Sequence, residues 1–218
     1  MYNEQENLCL NIGCGLDAPD EWLNIDASPG LRLSKIPLLG GYLQAILKLP
    51  AWPKSVRYGD LIKGLNIRQE SCGLIFASHI LEHLSLSDFQ TAVNNIYLYL
   101  KPGGILRAIV PDLKKLAAVY AEQLKDGSLS AQSAHNFIKT SGIGCENSRK
   151  HLSGRIREAF SNSRHQWLWD EMSLSYSFKQ QGFSKIRRCK YGDWSDPMFG
   201  LVENQARHEN AVCIEAIK

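Results

Sequence analysis

The sequence predicts an α/β fold: a mostly parallel sheet with helices on both faces and an insertion ahead of the last helix. Three observations point there. Leu8–Cys14 is a short apolar run that empties into Gly13 and Gly15, the pattern of a buried strand feeding a tight turn. Gly73–His79 (GLIFASH) is apolar nearly throughout, as a strand covered on both faces must be. Strand-like and helix-like periods then alternate to about Gly127, and a β-α-β-α rhythm argues parallel strands joined by crossover helices.

Between the first strand and Gly73, Glu21–Ala27 places Trp22, Leu23 and Ile25 ahead of Ser28-Pro29-Gly30, which reads as a second strand. Lys54–Asp60 reads as a third. After Gly73–His79, Ser87 or Asp88 is the expected cap of a helix whose Phe89, Ala92, Val93, Ile96, Tyr97 and Leu100 form one stripe. Lys101-Pro102-Gly103-Gly104 ends it and leads into a strand over Ile105–Val110. Leu113, Leu116, Ala117, Tyr120 and Leu124 mark the next helix, closing near Gly127.

Residues 128–169 break this rhythm, being polar and without a sustained period. Such a stretch inside a compact domain reads as a cap or substrate insertion, here within one domain spanning 1–218. Asp170 then caps a helix that ends at Gly182, a C′ glycine. Phe183–Tyr191 and Ala211–Ile217 read as two closing strands, of the kind that gives a mixed sheet its antiparallel edge.

A chain of 218 residues, 44% hydrophobic and 22% charged, has the apolar content to form a core, which excludes intrinsic disorder. A net charge of +3 argues for neither nucleic acid nor a membrane surface, and no nucleic-acid partner is expected. The six cysteines share no close spacing, against a zinc ribbon or redox pair. MYNEQENL lacks the basic and apolar regions of a secretory signal. Ile36–Trp52 is too interrupted to span a bilayer. The expectation is a cytoplasmic protein with reduced thiols and no transmembrane segment.

Gly13-Cys14-Gly15 ends the first strand, where glycine lets the backbone approach a ligand closely. Nucleotide-like ligands sit at such strand ends. Ala18 occupies the place of a third glycine, so the strict G-x-G-x-x-G dinucleotide fingerprint is not met, and this together with the LKPGG element disfavours a nicotinamide-dependent oxidoreductase. Asp26 ends the second strand, where an acid accepts hydrogen bonds from both ribose hydroxyls; the alternative is a surface turn acid. Asp60 could accept from the exocyclic amine of a base with Leu61 against the ring, or serve as a turn or cap residue.

LNIGCG (10–15), WLNID (22–26), GDL (59–61), FASHILEHL (76–84), LKPGGILRAIVPDL (100–113) and the closing QQGFSKIRRC and AVCIEAIK together resemble the class I S-adenosylmethionine-dependent methyltransferases, type 11-like. The resemblance implies a Rossmann-like, seven-stranded, mostly parallel sheet with an antiparallel last strand. It implies S-adenosylmethionine as cofactor, with Gly13, Cys14 and Gly15 along its methionine part, Asp26 at its ribose, Asp60 and Leu61 at its adenine, and Ser78 and His79 near the sulfonium. Two departures stand out. Asn11 replaces the acid usual before the glycine loop, and only six residues separate Leu16 from Leu23, a truncated first crossover.

Methyl transfer is an in-line displacement, so positioning can supply much of the rate and a base is useful without being obligatory. His79 is the candidate catalytic group facing the methyl. Asp112 is a second candidate, as base or acceptor contact, or else the cap of the following helix. In H-I-L-E-H, His79, Glu82 and His83 would share one helical face and could bind a divalent cation. The LEH element is common in metal-free members of the family, so no metal is expected. His151, Arg155, His165 and Trp167 lie in or beside the insertion, as contacts for an acceptor or as solvated basic surface.

Six Lys or Arg against two acids make residues 139–169 a local +4 and leave the rest at −1. The insertion is therefore expected to face an acceptor bearing phosphate or carboxylate. Tyr42, Leu43, Ile46 and Leu47 sit at helical spacing within Leu38–Leu49, to be buried against the sheet or a partner, a second copy in a homodimer among them. The expected activity is methylation at O or N of a small-molecule or glycan-type acceptor. The alternative is a non-catalytic S-adenosylmethionine-binding module with a partner-binding insertion.

Overall fold

A computed structural model of the chain describes residues 7–144 and 164–218. Its strands are β1 (Leu8–Ile12), β2 (Leu23–Asp26), β3 (Arg57–Tyr58), β4 (Cys72–Ser78), β5 (Leu100–Pro111), β6 (Ser184–Cys189) and β7 (Ala211–Ile217). Its helices are α1 (Pro29–Ser34), α2 (Gly40–Ile46), α3 (Leu86–Tyr99), α4 (Leu113–Lys125), α5 (Ala131–Ser141) and α6 (Glu171–Gln181), with 3-10 turns at Leu81–His83, Pro197–Leu201 and Gln205–His208.

The strands form one sheet in the order β3-β2-β1-β4-β5-β7-β6. Every pairing is parallel except those of β7, which runs antiparallel to β5 and to β6. The predicted mixed sheet is thus the one observed, with the carboxyl ends of β1, β2 and β4 along one edge.

The pleat of β4 divides the core. Ile75 and Ala77 pack with Phe89, Val93, Ile96, Leu174 and Phe178, beneath α3 and α6. Leu74 and Phe76 face the other way and meet Trp22, Ile109, Phe199 and Val202. On this second face β4 is covered by Trp22 and the 3-10 turn carrying Phe199. The truncated first crossover leaves no chain for a helix there.

Boundaries moved where local chemistry outweighed periodicity. The cap of α3 is Ser85, ahead of the expected Ser87 or Asp88: its hydroxyl accepts from Asp88 N (3.1 Å) and donates to Asp88 Oδ2 (2.8 Å). The third strand shrinks to two residues. Lys101–Gly104 belongs to β5, tied to the C-terminus by Gly103 N to Lys218 O and Lys218 N to Gly104 O.

The insertion contains a helix that its polar composition hid. Ser130 and Ser133 form a capping box at the start of α5, Gly142 closes it in the left-handed conformation, and Phe137 meets Tyr120 of α4 edge-on. Leu38–Leu49 is not buried against the sheet. Its helix α2 packs on α1, away from the sheet, leaving Tyr42, Ile46 and Leu47 exposed. Among the described residues no helix is long and apolar enough to cross a membrane.

Candidate active site

The loop after β1 is shaped by two left-handed glycines, Gly13 (φ +65°) and Gly15 (φ +57°). A Cβ at Gly13 would run into the Ile80 side chain, so only glycine lets that turn close. A Cβ at Gly15 would meet nothing within 4 Å, so the loop faces open space there. Gly13 N and Cys14 N both donate to Ile25 O (2.8 and 3.2 Å), lashing the loop to β2.

Asp26 is held against this loop. Its Oδ2 accepts from Gly15 N (2.9 Å) and its Oδ1 from Ser28 N (2.7 Å), and the residue is 7% exposed. Each oxygen keeps capacity for another donor. The carboxylate is therefore fixed in place with both oxygens still able to receive ligand hydroxyls. Burial, and next the nearby Asp26 charge, push the Cys14 thiol up to about 12. Cys14 is thus a protonated lining residue of the loop.

Asn11 is buried beneath the same loop. Its amide donates to Asp17 O (3.0 Å) and to Asn24 Oδ1 (2.9 Å), while Asn24 donates to Pro19 O (2.7 Å) and Trp22 O (2.8 Å). Asn11 and Asn24 are register partners on β1 and β2. An acid at position 11 could not donate, so the departure at Asn11 has a structural cause: it holds the short crossover.

Asp60 follows β3 as a turn acid, accepting at Oδ1 from Ile62 N (3.0 Å) and Lys63 N (3.3 Å), with Lys63 Nζ 3.5 Å from Oδ2. Leu61 joins the main core. At the end of β4 the Ser78 hydroxyl is shut from solvent without a hydrogen-bond partner among the described residues. The next residue, His79, takes a left-handed conformation (φ +54°) and donates its N–H to Ile109 O (2.8 Å). A non-glycine residue held there stores strain on the order of 1–3 kcal/mol, a feature that gathers at functional sites.

The His79 ring is hydrogen-bonded at one nitrogen and turns the other to Glu82. Nε2 lies 2.8 Å from Arg207 O, so Nε2 carries the hydrogen, and Nδ1 stands 3.3 Å from Glu82 Oε1. Asp112 is 2% exposed and caps α4, accepting at Oδ1 from Lys114 N (3.0 Å), with Arg188 3.4 Å from Oδ2. Of its two expected roles, the geometry is that of the helix cap.

His165 and Trp167 reach the same edge from the end of the insertion. Gln166 N and Trp167 N donate to Glu82 O (2.7 and 3.1 Å), and Gln166 Nε2 donates to His83 O (2.7 Å). The Trp167 ring is 41% exposed beside buried Trp169 (6.3 Å between centroids) and offers a face to solvent. His151 and Arg155, with Arg149, Lys150 and Arg157 of the basic cluster, lie outside the described residues. Missed in the sequence is the contact of Arg207 O with His79; 128 positions separate the pair and no local pattern links them.

Residues 10–108 match the sequence model of the family described as Methyltransferase domain. Among solved structures, a SAM-dependent methyltransferase from Archaeoglobus fulgidus superposes with a TM-score of 0.53 at 13% identity, covering 100% of this chain and 88% of its own. The PH0226 protein from Pyrococcus horikoshii gives a TM-score of 0.50 at 13% identity, covering 99% and 84%. At that identity the likeness concerns the fold. A search of curated proteins finds no match. The matched segment carries the glycine loop, Asp26, Ser78 and His79, and the seven-stranded order around it is the mixed sheet that the resemblance implies; over residues 10–108 the chain is similar to the methyltransferase domain family.

Proposed function

We propose that the chain is an enzyme that transfers a methyl group from S-adenosylmethionine to an oxygen or nitrogen of a small-molecule or glycan-type acceptor with anionic character. The observation that carries this reading is the Asp26 carboxylate, pinned by Gly15 N and Ser28 N at the mouth of an open glycine loop. The residues present fit the cofactor: a bidentate acid for a ribose, glycines whose backbone a chain can approach, and the orphaned Ser78 hydroxyl at the reacting end.

When bound, S-adenosylmethionine supplies a methyl on a positively charged sulfur, open to in-line displacement. Gly13, Cys14 and Gly15 line its amino-acid portion and Asp26 orients the sugar. Asp60 and Leu61 bound the adenine side. Ser78 and His79 stand at the reacting end, where fixed geometry is worth up to about 7–11 kcal/mol. A base at the acceptor adds about two to four decades where a proton must leave. His79 serves as that base once its hydrogen passes from Nε2 to Nδ1, where Glu82 Oε1 can accept it, so that Nε2 leaves Arg207 O and takes the acceptor's proton on its free lone pair. Trp167 and His165, with His151 and Arg155 of the insertion, bind the acceptor, and Asp112 acts from beneath by fixing the start of α4.

A second reading, a non-catalytic binding module, draws on one observation: at rest both candidate bases, His79 and Asp112, are already bonded within the protein. Calorimetry with S-adenosylhomocysteine and with NAD tests the cofactor, and labelled methyl transfer into a metabolite extract tests catalysis. Saturable binding of S-adenosylhomocysteine, silence with NAD, and at least about tenfold weaker binding by Asp26→Ala are expected, since each charge-assisted hydrogen bond is worth about 1.5–3 kcal/mol. No S-adenosylhomocysteine binding by the intact chain overturns the reading. Binding without any labelled product selects the module. Asp112→Asn, which keeps the capping oxygen, should transfer methyl within about threefold of the parent; a loss of two decades or more would make Asp112 the base.

A further inference from the structure

Glu82 is fully buried, and neither of its carboxylate oxygens accepts a hydrogen bond from a described residue. Buried carboxylates are ordinarily paired or coordinate a metal ion. What surrounds this one is a set of imidazoles. His165 Nε2 is 3.9 Å and His79 Nδ1 3.3 Å from Glu82 Oε1. One ligand atom each of Glu82, His83 and His165 lies within 4.8 Å of the others.

The tautomers are set from behind. His165 Nδ1 is 2.6 Å from Ser141 O and His83 Nδ1 is 3.0 Å from Arg164 O. A carbonyl oxygen only accepts, so each Nδ1 carries the hydrogen and each Nε2 is left with a lone pair. His79 is arranged the same way with its nitrogens exchanged, Nε2 donating to Arg207 O and Nδ1 turned to Glu82. Lone pairs from at least two rings thus face a carboxylate that has none of their hydrogens, and the arrangement calls for a positive charge between them. Imidazoles that donate their second nitrogen to a backbone carbonyl are the usual outer layer of a metal site.

We propose that Glu82, His83 and His165 bind a divalent transition-metal cation of the Zn2+ type. Two imidazoles and one carboxylate are a three-ligand set that leaves a coordination position open. The set is rigid before any ion arrives. The bonds from Gln166 and Trp167 to the 3-10 turn fix the segment that carries His165, and His165 N donates to Gly142 O (3.1 Å). A side chain at Gly142 (φ +72°) would collide with the His165 ring, so that glycine makes room for the ligand. Resting on the methyltransferase reading, the open position lies beside His79 and takes an acceptor oxygen, which makes the acceptor a hydroxyl compound able to bind the ion. The H-I-L-E-H element alone supports no such site; His165, delivered across the insertion, completes it.

The test uses the full chain, stripped with a chelator and titrated with Zn2+ by calorimetry and with Co2+ by visible absorption. One equivalent should bind saturably, and bound Co2+ should show the intense d–d bands of a low-coordinate nitrogen and oxygen site. His165→Ala and His83→Ala should each weaken Zn2+ binding at least about tenfold, while melting in chelator at the temperature of the stripped parent, which separates ligand loss from misfolding. No saturable Zn2+ or Co2+ uptake, or unchanged affinity in both variants, overturns the site and leaves a shared proton as the neutralising charge. S-adenosylhomocysteine calorimetry on the stripped protein reports independently on the methyltransferase reading: its silence alongside Zn2+ binding would overturn that reading and keep the cation site.

Discussion

Arg107 and Glu203 meet with both side chains fully buried, 96 positions apart in sequence. Arg107 Nε and Nη2 donate to Glu203 Oε1, Nη1 donates to Glu215 Oε1 (2.6 Å), and the two remaining N–H groups reach Asp193 O and Lys190 O (both 3.0 Å). All five donors of the guanidinium are used. Glu203 also takes Trp194 Nε1 and lies 2.8 Å from His208 Nε2. The network fastens β5 to the segment between β6 and β7, and that segment delivers Arg207 O to His79.

Replacing Arg107 by Met leaves the buried Glu203 carboxylate without its guanidinium and Glu215 with Arg187 as its remaining counter-charge. Removing one partner of a buried ion pair costs about 3–5 kcal/mol, far more than the intact pair contributes against an apolar substitute. Urea unfolding of Arg107→Met should therefore show a lower midpoint at unchanged slope. Arg107→Lys should recover only part of the loss, because an ammonium cannot span both carboxylates and both carbonyls.

Acid should weaken the same network. Burial raises the Glu215 carboxyl, but hydrogen bonds from Ser195, Arg187 and Arg107 outweigh it and hold the group below its ordinary value of 4.5. On acidification the unfolded chain takes its proton first. The stabilisation is therefore present above about pH 4.5 and is lost as the pH falls through the lower folded value. Asp126, Asp170 and Asp193 are lowered too, by Ser128, Ser173 and Arg187 in turn, and add to the slope. Urea unfolding between pH 6 and pH 3 should show a steeper loss for the parent than for Glu215→Gln, which cannot titrate; parallel curves would remove Glu215 from the account.

The elements legible in the sequence are those that declare themselves locally. GLIFASH reads as a buried strand because its run of apolar residues admits little else, and Asp170 to Gly182 reads as a helix because both caps are present. The glycine loop and Asp26 were legible because five consecutive strand residues end in the only residue type that tolerates the turn. Helix α5 was not, since its N-terminal capping box is made of two serines and Tyr120, the aromatic partner of its Phe137, sits on another helix. Glu82 and His165 were each noticed, but their juxtaposition depends on how the chain returns across the insertion. Asn11 looked like a lost acid; its role required knowing that Asn24 is its neighbour on the adjacent strand.

Asn11→Asp provides the sharpest test, because it restores the residue type usual at that position in the resembled family. The change is nearly isosteric, so packing is preserved and only the donors are lost. Asp17 O would lose its donor from position 11, and Asn24 Oδ1 would face a carboxylate instead of an amide. Two hydrogen bonds, one buried and one partly so, at about 1 kcal/mol each, plus the desolvation left uncompensated at about 1–3 kcal/mol, give a loss of about 3–5 kcal/mol. The damage should reach the ligand as well, since the Asn11 to Asp17 bond closes the loop that presents Gly15 to Asp26. Asn11→Asp is therefore expected to unfold at lower urea and to bind S-adenosylhomocysteine more weakly than the parent. Were the acid instead to tighten that binding at unchanged stability, the amide would be a lost ligand contact and the Asn11–Asn24 pair would have no part in holding the shortened crossover.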